Sequence, residues 1–255
     1  MSGNRADPYY QSPYKSGYKV VEKFGNNPSV AGALEDIWSA GGAYSGWLTA
    51  ASAVRVRAGG DAADVDTTGA GARTIEVQGL DEDWLEATEV ISLAGASASA
   101  ATTTTFVRVF RAFVKTCGTY TDSNTAAILI ETTAGTLVAQ IDADYGQSEM
   151  CIYTIPENLV GFVLSMHMSV SDSGDGADVF LMTRANADTV AAPFEPARTR
   201  LSFFDVVNQS NRDMLAGIRL ASRTDVWARA IRSGVGTAPA VGVQLSIVLI
   251  NEDHW

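Results

Sequence analysis

Gly71-Ala72-Arg73-Thr74-Ile75-Glu76-Val77-Gln78-Gly79-Leu80 runs into the acidic turn Asp81-Glu82-Asp83-Trp84. Glu89-Val90-Ile91-Ser92-Leu93 follows, and after a threonine run comes Phe106-Val107-Arg108-Val109-Phe110-Arg111-Ala112-Phe113. The stretch reads as three β-strands in a meander. Ile75 and Val77 alternate with Thr74, Glu76 and Gln78, the period of two that puts successive side chains on opposite faces. Residues 105–115 are apolar on both faces, which predicts a central strand. The odd spacing of Arg108 and Arg111 puts them on opposite faces or at an edge. Trp84 packs either under its own hairpin or across an interface. No catalytic chemistry is written into this stretch.

The same grammar extends outward. Val54 and Val56 alternate with Arg55 and Arg57. Ala127–Glu131, Leu137–Ile141 and Met150–Ile155 are short strands separated by Gly135 and Gly146. Leu159–Val170 and Val179–Thr183 flank the polar turn Ser171–Gly176, and Leu201–Val207, Met214–Leu220 and Val226–Ile231 come next. In the last strand Val241, Val243, Leu245, Ile247 and Leu249 face one way, with Gly242, Gln244 and Ser246 on the other. Strands recurring about every 10–15 residues between turn residues predict an all-β fold: an antiparallel β-sandwich or jelly-roll-like core. Ala96–Thr105, rich in Ala, Ser and Thr, reads as a loop leading into a strand.

The N-terminal region differs. Residues 1–48 predict an extended arm, with a short helix over Ala33–Trp38 stopped by Gly41-Gly42. Residues 49–255 form the core, with a point of subdivision near 186–196, where Pro193 and Pro196 lie. Tyr9, Tyr10, Tyr14 and Tyr18 are costly to leave in water, so the arm is expected to cover a neighbouring surface. Lys15, Lys19 and Lys23 make it basic enough to dock on an acidic partner. Phe24, Trp38, Tyr44 and Trp47 complete the expected interaction residues.

The chain has 255 residues with 18 Lys and Arg against 29 Asp and Glu, a net charge of −11. That balance argues against nucleic acid, whose phosphates need clustered cations. No apolar run approaches the ~18 residues of a membrane span. Met1–Pro8 lacks the apolar core of a secretory signal. Cys117 and Cys151, the two cysteines, read as free thiols, with one bridge between neighbouring strands as the alternative.

Catalytic signatures are missing from the sequence. The two histidines are His167, between Met166 and Met168, and the penultimate His254. Neither belongs to a nucleophile–base pattern, and there is no Gly-x-Ser-x-Gly elbow, HExxH, phosphate loop or dinucleotide fingerprint. Asp172, Asp175 and Asp178 lack EF-hand spacing and read as a polar hairpin turn. Asp61, Asp64 and Asp66 read as a flexible acidic loop. Asp81, Glu82, Asp83 and Glu86 crowd one turn, whereas a glycosidase pair stands about 5–10 Å apart across a cleft. No enzyme activity, cofactor or metal is expected.

The ordered set Lys23–Pro28, Glu35–Tyr44, Gly69–Asp81, Glu89–Leu93, Phe106–Ala112 and Gly146–Pro156 resembles a family of virion structural proteins of tailed bacteriophages, many of them marine. The resemblance covers about residues 20–185 and is looser beyond. It implies a non-enzymatic capsid cement (decoration) protein, assembled in the host cytoplasm onto the capsid surface. The implied partners are the major capsid protein and itself, as a homotrimer. A tail or head-fibre component is the alternative within that class. A carbohydrate-binding β-sandwich for host attachment is the alternative outside it. The acidic turn at Asp81–Trp84 and the stretch 185–240 depart from the family pattern.

Overall fold

The computed structural model describes residues 18–57, 60–120, 122–171 and 175–252, apart from the side chain of Tyr18. The protein is all-β, with antiparallel sheets and no α-helix among the described residues. It divides into two compact units, a first made of the described residues up to Ile37 and from Cys151 onward and a second of residues 38–150, so the expected single core is replaced by two. The strands are β1 (Tyr18–Asn27) and β2 (Glu35–Asp36), then β3 (Ser52–Val56), β4 (Ala72–Leu80), β5 (Glu86–Ser92), β6 (Thr105–Phe106), β7 (Arg108–Cys117), β8 (Ile128–Thr132) and β9 (Leu137–Ile141). After them come β10 (Ile152–Thr154), β11 (Leu159–Val170), β12 (Ala177–Arg184), β13 (Arg198–Val206), β14 (Asn208–Leu220), β15 (Asp225–Arg232) and β16 (Val241–Asn251).

The first unit is a jelly roll. One sheet has the order β1-β16-β11-β14; the other has β10-β15-β12-β13, with β2 also on β15. The pairs nest: first strand with last, β10 with β15, β11 with β14, β12 with β13. That is one long hairpin rolled into two sheets. The alternation in β16 is realised, with Val241, Val243, Leu245, Ile247 and Leu249 all buried. In the second sheet Val179, Leu181, Ala228 and Ala230 supply the buried positions.

Two corrections concern the N-terminal region. Glu35-Asp36 is a strand, not part of a helix. Six residues cannot offset the cost of helix nucleation, whereas β15 offers ready partners: Glu35 opposite Ala230 and Asp36 opposite Arg229. From Tyr18 onward the expected arm is strand β1, in ten-residue register with β16. The break between halves also falls elsewhere than 186–196, which is the β12–β13 loop. β2 and β10 lie end to end along β15 and meet at Ala228. Ala228 accepts from the Ile37 N–H at 3.0 Å and donates to the Cys151 carbonyl at 3.1 Å. The second unit is thus a sequence insertion inside one strand of the jelly roll.

That second unit has sheets β6-β3-β8-β9 and β5-β4-β7. The Tyr44 hydroxyl lies 3.0 Å from both the Val109 and Val138 carbonyls, a shared donor tying β7 to β9. The 96–105 loop runs along β3. The Ser99 and Thr102 hydroxyls accept from Val56 N–H and Val54 N–H at 2.9 Å. Glu89 grips the same loop through Thr103 N–H at 2.8 Å and Thr104 N–H at 2.7 Å.

Candidate functional site

The carboxylates that sequence reading weighed for metal or acid–base work are occupied structurally. Asp64 is buried, not part of a flexible loop. Its carboxylate accepts from Ala72 N–H at 2.9 Å, Thr125 N–H at 2.9 Å and Ala126 N–H at 3.0 Å, pinning three backbone donors. Asp178 accepts from Asp205 N–H at 2.8 Å, and Asp205 from the Ser233 hydroxyl at 2.9 Å, so this acidic turn serves loop packing. Asp172 of that turn lies outside the described residues. The fully buried Asp225 holds the Thr154 hydroxyl at 2.6 Å and the Arg184 guanidinium. Among the described residues no group of three His, Cys, Asp or Glu is placed to hold a metal ion. His167 is exposed on the outer face of β11, its Nε2 4.0 Å from Asp213.

Electrostatic shifts follow the same structural pattern. The Arg57 guanidinium, 2.6 Å from Glu131, with Arg55 behind it, holds the Glu131 carboxyl below its ordinary value. Hydrogen bonds from Lys115 and Gln78 do the same for Glu76. Burial, with Asp142 nearby, pushes Glu149 up. Burial also drives the Cys151 thiol up to about 12, against a smaller opposing pull from Lys23. Both described cysteines are free.

The expected interaction residues separate sharply. Tyr9, Tyr10, Tyr14 and Lys15 lie outside the described residues. Phe24 is half-buried on the outer face of the β1 sheet; Lys19 and Lys23 lie on its other face, Lys19 exposed opposite Leu249 and Lys23 buried opposite Leu245. Trp38 and Tyr44 are core side chains, stacked edge to face with ring centres 5.0 Å apart. Trp47 continues the stack onto Tyr44 at 5.0 Å. The buried Arg108 guanidinium then sits 5.4 Å from the Trp47 ring and 5.0 Å from the Trp84 ring. Its Nη1 donates to the Leu48 and Val107 carbonyls at 2.8 and 2.9 Å. Trp84 therefore packs within its own unit; Arg111 is exposed, and a bulge between Val109 and Arg111 opposite Gly79 and Gln78 brings it onto the same face of β7 as Arg108, against the opposite faces that their spacing alone predicts. Trp38, Tyr44 and Trp84 are thus core side chains, and Trp47 is half-buried at the end of their stack.

The surface that stands out was not singled out from the sequence: the edge strands β13 and β14. Every residue from Thr189 to Arg200 is exposed, and exposure continues along most of both strands. In β14, Ile218 pairs with Val163 and Asp213 with Ser165, so Met214-Leu215-Ala216-Gly217 bulges out opposite Leu164 alone. Gly217 makes the bulge possible. Its φ is +67°, and a Cβ there would meet Leu164 Cδ2 at 2.9 Å. The bulge thrusts Leu215 outward, 90% exposed, with Phe204 at 71%, Phe194 at 59% and Val207 at 58%. Arg198, Arg200, Arg212 and Arg219 on the same two strands are exposed as well. Long edge strands carrying bare apolar side chains are where proteins pair with others.

Fold and edge together define an all-β jelly-roll protein with an inserted second β unit and an apolar, arginine-flanked strand edge. No protein-family model matches the chain, and no curated protein matches it. Among solved structures it is similar to the infectious bursal disease virus Gt strain structure, at 10% identity and a TM-score of 0.27, over 94% of this chain and 74% of that one. It is also similar to the VP2 subviral particle of that virus, at 8% identity and a TM-score of 0.28, over 93% and 73% of the two chains. At these values the likeness carries no argument about role.

Proposed function

We propose that the protein is a non-enzymatic structural component of a tailed-bacteriophage virion, most specifically a capsid cement protein bound to the major capsid protein lattice. The β13–β14 edge is the observation that carries this reading. Leu215, Phe204 and Val207 supply apolar area of the kind that lies at the centre of protein interfaces. The occupant is a second protein: exposed Arg198, Arg200, Arg212 and Arg219 outnumber the exposed Asp205 and Asp213 on the same two strands and leave the edge net cationic. An acidic and apolar shell surface complements it. The order of sequence segments that resembles tailed-phage virion proteins supports the same class. Self-association as a homotrimer on three-fold positions of the shell, by surfaces other than this edge, completes the reading.

Particles lacking the protein, mixed with purified chain and sedimented, test the proposal. The wild-type chain is expected to co-sediment saturably, and Leu215→Asp with Phe204→Asp to lose at least ten-fold in affinity while keeping its fold. Co-sedimentation unchanged by the double substitution excludes this edge as the docking surface. A tail or head-fibre position predicts binding at a small ring's worth of copies instead of at a number comparable to the shell protein.

A further inference from the structure

The outer face of the β1-β16-β11-β14 sheet holds a second feature. Asn26 on β1 pairs with Gly242 on β16, Gly242 with Ser169 on β11, and Ser169 with Gln209 on β14, forming one row across all four strands. Over this row opens a cavity of about 330 Å3, to which Asn208 also contributes. Gly242 is its floor. The Ser169 hydroxyl lies 2.8 Å, and the Asn26 side-chain oxygen 4.0 Å, from where a Cβ of residue 242 would be. Both polar groups therefore converge over the glycine.

Three properties separate this row from an ordinary solvated face. First, every described residue lining the cavity is uncharged, in a chain of net charge −11. Second, the side chains of Asn26, Ser169, Asn208 and Gln209 make no hydrogen bond with other described residues. Two rows away, by contrast, Ser246 donates to Glu22 at 2.8 Å. Third, Phe24 lies two residues from Asn26 on the same face and is half-buried, placing an aromatic side chain on the row next to the amides.

We infer that this trough is a binding site for a neutral saccharide. A charged ligand finds no counter-charge among the described lining residues, and an apolar one leaves the amides and hydroxyl desolvated without partners. Carboxamides donate and accept from adjacent atoms, which matches the alternating donors and acceptors of vicinal sugar hydroxyls. The row geometry and Phe24 suit a chain of sugars lying along the sheet. The site is independent of any place in a particle and is tested on the isolated chain.

The test is a glycan array carrying neutral and anionic oligosaccharides, followed by calorimetric titration of the best-retained neutral glycan. The expected result is retention of at least one neutral glycan, weakened ten-fold or more by Gln209→Ala and by Asn26→Ala. Gln78→Ala, in the other unit, is expected to leave affinity unchanged. Because Gln209 is exposed, its variant folds even if the Asn26 variant does not, and thermal melting checks both. Absence of neutral-glycan binding at millimolar ligand, binding only to anionic glycans, or binding indifferent to Gln209→Ala each overturns the inference. None of these outcomes bears on particle docking through β13–β14.

Discussion

Replacing Asp64 with alanine removes the shared acceptor of the Ala72, Thr125 and Ala126 N–H groups. A hydrogen bond to a charged acceptor contributes roughly 1.5–3 kcal/mol, and a stranded buried donor costs a comparable amount. Ala72 is fully buried, but Thr125 is exposed and Ala126 half-buried, so water reaches two of the three donors. The lower end of the range then applies to each of the three bonds, about 4–5 kcal/mol for Asp64→Ala. Asp64→Asn keeps one carbonyl oxygen but turns an NH2 toward an N–H donor, for a loss of about 2 kcal/mol. Urea unfolding gives the global change. Hydrogen exchange localises it, with residues 61–72 and 122–128 expected to lose protection while 241–251, in the other unit, keep theirs. An Asp64→Ala protein within about 0.5 kcal/mol of wild type refutes the assignment of this carboxylate as a structural anchor.

Further outcomes follow from the same geometry. The folded Glu131 carboxyl titrates below its ordinary value of 4.5 because Arg57 and Arg55 hold it ionised. Its contribution is complete above that value and is lost as pH falls through the folded value, so the stability gap between wild type and Glu131→Gln is expected to be flat from pH 7 to about 5.5 and to shrink below that. A gap that grows on acidification contradicts the sign. With the Cys151 thiol pushed up to about 12 and Cys117 half-exposed, alkylation at pH 8 is expected to label Cys117 alone until urea is added. Equal labelling rates contradict the burial of Cys151. Gly217→Ala forces an L side chain to φ +67° against Leu164, a cost of about 1–2 kcal/mol, read as a lowered melting temperature.

Much of the fold was legible because period-two alternation reports a buried face. Leu159–Val170 and Leu137–Ile141 are strands to the residue, and β16 buries the side that alternation assigned. The polar run Asn208–Asp213 gave no such signal, because its ladder with Ser165–Val170 is made by backbone atoms while its side chains stay exposed or half-buried on both faces of the strand. The domain division was hidden for a related reason. Its boundary falls inside one strand, between Ile37 and Cys151, with no linker composition to mark it. Trp38, Tyr44 and Trp47 drew attention as interaction residues, since nothing in their local sequence announces the buried Arg108 on which that stack ends. The β13–β14 surface was illegible because exposure of Leu215 depends on a bulge defined only by pairing with β11.

The central claim, that this jelly roll is a virion structural protein, is tested most directly by its copy number in purified particles. Quantitative mass spectrometry of gradient-purified virions, calibrated on the major shell protein, supplies it. The account predicts copies comparable to those of the shell protein, on the head surface. Absence of the chain from intact virions contradicts it.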